Sequence, residues 1–127
     1  MIAALLLLAV EPALDCSSNE LPQLGMNMCA QRDFERADAE LNAQWRATAA
    51  AMRESDRGID RKYDREPGYF ETLLAAQRAW ITYRQQHCLG ESFEARGGSL
   101  SPLLFSTCMS ELTKARTAQL RELVEVE

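Results

Sequence analysis

Residues 67–88 read PGYFETLLAAQRAWITYRQQHC, and the spacing of their apolar side chains indicates a helical fold. Core-forming side chains recur in this stretch at steps of three and four residues, which is the spacing of one helical face. That face carries Phe70, Leu73, Gln77, Trp80, Arg84 and Cys88, with Leu74 and Ile81 beside it. Proline suits the first helical position because it has no N–H group to leave unpaired. The stretch therefore predicts a helix from Pro67 to about Cys88, with Gly90 following its end.

Two further helices are predicted on either side of this one. A helix from about Leu24 to Ser55 would bury Phe34, Ala37, Leu41, Trp45, Thr48 and Met52. A third helix would begin at Ser101-Pro102 and bury Phe105, Met109, Leu112, Arg116, Leu120 and Leu123. No stretch alternates apolar and polar residues over the length of a strand. The sequence thus predicts an all-α fold, a small antiparallel three-helix bundle.

Length and charge limit the classes of function. The chain has 127 residues, which is enough for one domain, and its formal net charge is -5. A basic surface for nucleic acid is not expected from this composition. The segment from Arg53 to Glu66 has ten charges, five of each sign, and is interpreted as a solvated helix end and connector. Gly97-Gly98-Ser99 is too short for a phosphate-binding loop, and no cofactor is predicted.

The first ten residues are all apolar. They are too few to span a bilayer, which needs about 20, so no stable membrane span is expected. They suit a secretory signal peptide over residues 1–14, with the helical domain over 15–127. No Lys or Arg precedes the apolar run, which a start codon lying further upstream would explain. The alternative is a short hydrophobic helix that packs on the domain. The signal peptide predicts a periplasmic or secreted protein.

The four cysteines are Cys16, Cys29, Cys88 and Cys108. An even number in a small exported chain predicts two disulfides, and the absence of any C-x-x-C pair argues against a metal site. Four cysteines allow three pairings. We favour Cys16–Cys29 with Cys88–Cys108, because these loops are the shortest. A nonlocal bond from Cys29 to Cys88 or Cys108 stays open, since all three would lie near one end of the bundle.

No pattern of catalytic residues stands out. The candidate base His87 lies next to Cys88, which supplies no thiolate once it is oxidised. The chain is therefore not expected to be an enzyme. Asp38 and Asn42 lie beside the apolar face of the first helix, and Arg78 lies beside Trp80. An internal Asp–Arg pair between the first two helices is the favoured interpretation, because a buried charge must be paired.

Several short motifs together resemble the LprI-like family, whose name comes from a lysozyme inhibitor. They are ADAELN at 37–42, LAAQRAWITYR at 74–84 followed by Cys88, GGS at 97–99, and LTKART at 112–117 after Cys108. The resemblance implies an exported helical domain with disulfides, and it supplies no catalytic residue. It marks as structural motif residues Asp38, Asn42, Gln77, Arg78, Trp80 and Tyr83. Asp15 precedes Cys16 where a lipid-attachment site needs a small residue, so no lipid anchor is expected.

The leading functional hypothesis is an exported protein-binding domain that inhibits lysozyme. Animal-type lysozymes are strongly cationic and would attract a chain of net charge -5. The predicted loop Leu89 to Leu100 would contact the enzyme through Glu91, Glu94 and Arg96, although it could also be a simple connector. The alternative is a periplasmic accessory protein that binds an unidentified protein other than lysozyme, with the Arg53 to Glu66 segment as its contact surface.

Overall fold

Three α-helices make up most of the computed structural model, which describes residues 14–125. Helix α1 spans Gln23–Arg57, α2 spans Tyr69–Ser92 and α3 spans Ser101–Glu125, and a short 3-10 turn occupies Phe93–Ala95. These described residues contain no strand. The predicted all-α bundle is confirmed. The predicted signal peptide lies, except for Leu14, outside the described residues.

Hydrogen bonds between helices define their directions. Near the beginning of α1, Nδ2 of Asn27 donates to the carbonyl oxygen of Ser99, just before α3 begins. Further along, Oγ1 of Thr48 donates to the carbonyl oxygen of Leu120 at 2.8 Å. Helices α1 and α3 therefore run in the same direction, and α2 runs antiparallel to both.

The core lies along the predicted helical faces. Its central cluster consists of Leu41, Ala49, Leu73 and Leu120, with the partly buried side chains of Trp45, Met52, Phe70 and Trp80 packed against it. A second cluster surrounds Cys88, Cys108 and Met109. The faces of α1 and α3 carry many small buried residues, which let two helices approach closely; they are Ala30, Ala37, Thr48 and Ala49 in α1 and Ser106, Ser110, Thr113 and Thr117 in α3.

Two residues of the predicted faces are exposed. Ile81 lies on the outer flank of α2, and Leu123 lies in the last turns of α3, one turn beyond the buried Leu120. A bundle of three helices covers less than half of each helix, so residues beside the main face or beyond its last layer stay in contact with water.

The segment from Arg53 to Glu66 is an exposed helix end and connector, as predicted. Helix α1 extends into this segment as far as Arg57. Helix α2 begins at Tyr69 rather than at Pro67. The carboxylate of Asp56 accepts hydrogen bonds from the backbone N–H groups of Tyr69 and Phe70, at 2.6 and 3.2 Å. The end of α1 thus caps the beginning of α2, where the first N–H groups have no partner within the helix. The Arg53 guanidinium lies 4.0 Å from the centre of the Phe70 ring.

Both favoured disulfides are present. Cys16 is bonded to Cys29, and Cys88 is bonded to Cys108. The nonlocal alternatives were wrong, although Cys29 does lie at the same end of the bundle as the second disulfide. The first bond fastens the segment before α1 to its second turn. The second joins the last turns of α2 to the beginning of α3, and both of its cysteines are buried.

Candidate functional site

The end of α2 is longer than the sequence predicted, and this changes the shape of the expected loop. Gly90 lies inside α2, which continues to Ser92 and then into the 3-10 turn. The glycine that stops the helical path is Gly97, which has a φ of 79° in the left-handed region that favours glycine. The predicted loop Leu89 to Leu100 was therefore wrong for its first seven residues, because only residues 96–100 are irregular.

An exposed row of three side chains runs along this end of α2. The rings of Tyr83 and His87 are stacked with their centres 5.2 Å apart. One turn later, Nε2 of His87 lies 3.0 Å from Oε1 of Glu91. A spacing of four residues puts neighbours on the same helical face, so each member of the row orients the next.

The 3-10 turn adds a second exposed group beside the end of the row. The Arg96 guanidinium lies 4.4 Å from the centre of the Phe93 ring, in a cation–π contact. Glu94 lies between Phe93 and Arg96 in sequence, and its side chain is exposed. We call the set of Tyr83, His87, Glu91, Phe93, Glu94 and Arg96 the α2-end surface. The three contact residues predicted from sequence all belong to it: Glu91 lies in α2, Glu94 lies in the 3-10 turn, and Arg96 follows that turn.

The backbone beneath the α2-end surface is held in place by a buried disulfide and a hydrogen bond. The neighbouring residue Cys88 is completely buried and is bonded to Cys108 of α3. The hydroxyl of Ser92 is also fixed, because its Oγ donates to the carbonyl oxygen of Leu89 at 2.7 Å. Sequence reasoning missed the contribution of Phe93; an exposed aromatic followed three residues later by an arginine was the available signal.

The metal-binding potential of this surface is low. Ligand atoms of His87, Glu91 and Cys108 lie within 4.8 Å of one another. The sulfur of Cys108 is already bonded to Cys88 and cannot act as a thiolate ligand. Only an imidazole and a carboxylate remain, which is fewer protein ligands than a structural or catalytic zinc site uses.

The predicted Asp–Arg pair is present, but with a different arginine. Nη1 of Arg84 donates to Oδ1 of Asp38 at 3.1 Å, whereas Arg78 is exposed. The two arginines are six residues apart, which turns them about 240° from each other around the helix. Arg84 occupies the buried face and Arg78 the outer one. Asn42 is also exposed, on the outer side of α1.

The remaining motif residues divide between the core and the surface. Gln77 is buried, and its Oε1 accepts a hydrogen bond from Nε of Arg116 at 2.9 Å. Trp80 is half-buried, with the Arg84 guanidinium 4.7 Å from its ring centre. Tyr83 points outward and belongs to the α2-end surface. The motif therefore combines an internal polar network with one exposed aromatic residue.

Comparison with known proteins shows the family of the chain. The family model for "Lysozyme inhibitor LprI" matches residues 15–120, which include all four cysteines and the whole α2-end surface. The chain belongs to the LprI family. The chain is also similar to an uncharacterized protein from Rhizobium meliloti (strain 1021), which is 47% identical over 120 residues. That alignment covers 92% of this chain and 84% of the relative. No solved structure was found to match this LprI family member.

The helices of this LprI family member differ from membrane-spanning helices. Among residues 14–125, no helix combines the length and the apolar character needed to cross a bilayer. The longest helix, α1, contains eleven charged residues among its 35.

Proposed function

We propose that this chain is an exported lysozyme inhibitor that binds the enzyme through the α2-end surface. One observation carries the proposal: in a member of a lysozyme-inhibitor family, an exposed set of aromatic and charged side chains stands on a buried disulfide. Tyrosine and arginine are enriched among the residues that dominate protein–protein binding. Two disulfides are typical of proteins of the periplasm or the cell exterior, which supports export.

The rigidity of the α2-end surface favours tight binding. Association costs free energy when mobile side chains must be ordered at the interface. Here Tyr83, His87 and Glu91 already hold one another, and Arg96 already rests on Phe93. The disulfide fixes the backbone beneath them. The surface therefore needs little reorganisation on binding.

The charges of the α2-end surface also favour binding to a cationic enzyme. Glu91 and Glu94 are exposed acids on a chain of net charge -5, and a cationic enzyme would be attracted to them. Glycosidases cleave their substrates with a pair of carboxyl groups. Arg96 is the one cation of the α2-end surface with a permanent charge, and in this proposal its guanidinium faces those carboxyl groups.

Calorimetric titration into an animal-type lysozyme tests the binding step. The oxidised protein should bind at a ratio of one to one, and affinity should fall as salt concentration rises. The double variant Glu91→Ala/Glu94→Ala should bind more weakly. Glu40→Ala/Glu122→Ala is the matched control, because it removes the same charge from exposed sites elsewhere. Equal weakening by both double variants would show a dependence on net charge alone and would contradict the assigned surface.

The Arg53 to Glu66 segment is the contact surface of the second candidate function, an accessory protein with a partner other than lysozyme. Tyr63 in this segment is 78% exposed, and Nζ of Lys62 lies 5.1 Å from its ring centre. An exposed aromatic with an adjacent cation is a reasonable anchor for a partner. Tyr63→Ala should leave lysozyme binding unchanged under the main proposal. Loss of binding in this variant would move the interface to the connector.

A further inference from the structure

A groove between α2 and α3 lies away from the α2-end surface. It has a volume of about 620 Å³, within the range of about 300–1,000 Å³ that small-molecule sites occupy. Its wall is largely apolar and includes Met52, Leu73, Ala76 and Leu123. Leu123 and the neighbouring Tyr69 are exposed there. Between Tyr69 and Ala76, α2 provides one side of the groove over about 10 Å, at 1.5 Å per helical residue.

The same groove contains one cation, Arg116. Its Nε donates to Oε1 of Gln77, and its Nη1 donates to Oε1 of Gln119 at 3.1 Å. Both partners are neutral amides. Among residues 14–125, no carboxylate forms an ion pair with Arg116. Partial burial lowers the pKa of the Arg116 guanidinium below its ordinary value, because water is partly removed from the charge.

These two features specify one class of ligand. Apolar walls favour a hydrocarbon chain, since burying methylene groups is favourable. A guanidinium that is partly desolvated and lacks an acidic partner favours a carboxylate, to which it can donate two parallel hydrogen bonds. We infer that the groove binds a fatty acid, with its carboxylate at Arg116 and its chain directed towards Tyr69 and Leu123.

This binding site is independent of the proposed lysozyme contact. The Arg116 end of the groove lies near the middle of the bundle, whereas its other end lies where α2 begins and α3 finishes. The α2-end surface occupies the opposite end of α2. Fatty-acid binding and lysozyme binding can therefore succeed or fail separately.

Calorimetric titration of the full oxidised chain with laurate, below its micelle concentration, tests the inference. One laurate should bind per chain. Dodecyltrimethylammonium has the same chain with a cationic head, and acetate has the carboxylate without the chain; neither should bind measurably. The net charge of -5 would favour the cationic probe if only general electrostatics acted. Binding of that probe as tight as laurate binding, or no saturable binding of laurate, would overturn the inference.

Variants locate the site. Arg116→Gln should weaken laurate binding by about tenfold to a hundredfold, as expected for loss of a charge-assisted hydrogen bond, and Arg116→Lys should retain more of it. Ala76→Phe should abolish binding by filling the groove. Ala75→Phe is its matched control on the outside of α2 and should bind like the parent chain. The methyl signals of Met52 and Leu123 should shift with laurate in the parent chain; unchanged binding in Ala76→Phe would contradict the assignment.

Discussion

Arg84 of α2 donates a hydrogen bond from Nη1 to Oδ1 of Asp38 in α1, and the same nitrogen donates to Oγ1 of Thr113 in α3 at 2.9 Å. One guanidinium therefore joins all three helices. The Arg84 side chain is 12% exposed and the Asp38 side chain 35%. The aromatic rings of Phe34 and Trp80 lie within 5.3 Å of the guanidinium carbon. A charge removed from water in this way depends on its partners.

Replacing Arg84 should destabilise the fold. Arg84→Met keeps most of the side-chain volume but leaves Asp38 without its cation. Breaking a buried pair costs about 3–5 kcal/mol, and the partial exposure of Asp38 reduces the expected loss to about 2–3 kcal/mol. Urea unfolding followed by circular dichroism measures the change. Arg78→Met is the matched control, and it should alter stability by less than about 0.5 kcal/mol. Equal effects of the two variants would contradict the assigned pair.

The two disulfides should differ in their contribution to stability. Replacing Cys88 and Cys108 by serine removes a bond that closes the longer loop, and it also puts two hydroxyl groups into the core. We expect a loss of about 3–5 kcal/mol. Replacing Cys16 and Cys29 should cost about 2–3 kcal/mol, because Cys16 lies in an exposed segment. The midpoints of urea unfolding compare the two double variants, and a larger effect of the Cys16–Cys29 bond would contradict the account.

Asp56 should stabilise α2 from a distance of 13 residues in sequence. Asp56→Ala leaves the N–H groups of Tyr69 and Phe70 without their acceptor, and loss of such a cap costs about 1–2 kcal/mol. Thermal unfolding reads out the effect. Glu54→Ala, which removes an exposed acid two residues earlier in α1, should change the free energy of unfolding little. If the two variants unfold at the same temperature, the cap contributes nothing.

The aromatic residues of the α2-end surface should matter for lysozyme binding. Truncating a central aromatic anchor costs about 2 kcal/mol, or roughly thirtyfold in affinity. We expect this loss from Tyr83→Ala and from Phe93→Ala, mainly as faster dissociation in surface plasmon resonance. Phe93→Ala also removes the aromatic ring that the Arg96 guanidinium contacts. Circular dichroism should show an unchanged fold, since both side chains are exposed. Parent-like dissociation of both variants would exclude this surface as the interface.

Local patterns in the sequence predicted most of the fold, because each helix buries one face at a spacing visible in the residues. Loop length favoured the cysteine pairing that is present, but it left a nonlocal bond open. The end of α2 was predicted wrongly because both Gly90 and Gly97 are plausible helix stops in sequence, and α2 continues through Gly90 to Ser92. The cap by Asp56 joins residues that are far apart in sequence, so no local signal reveals it.

The Asp–Arg pair also depends on contacts that local sequence does not reveal. The residue types were predicted, but the choice of arginine depends on how α2 is rotated against α1. The contact residues Glu91, Glu94 and Arg96 were also proposed from sequence. Their arrangement as a helical end with Tyr83 and Phe93 required coordinates, because a stacked ring and a cation–π contact depend on side-chain positions.

The most direct test of the central claim is a turbidity assay of lysozyme action on bacterial cell walls. The oxidised protein would be titrated into animal-type lysozyme, in parallel with the reduced protein and with Phe93→Ala. We expect complete inhibition near one equivalent of oxidised protein, with weaker inhibition by the reduced protein and by Phe93→Ala. Undiminished lysozyme activity at a large molar excess of the oxidised protein would contradict the claim that this chain inhibits lysozyme.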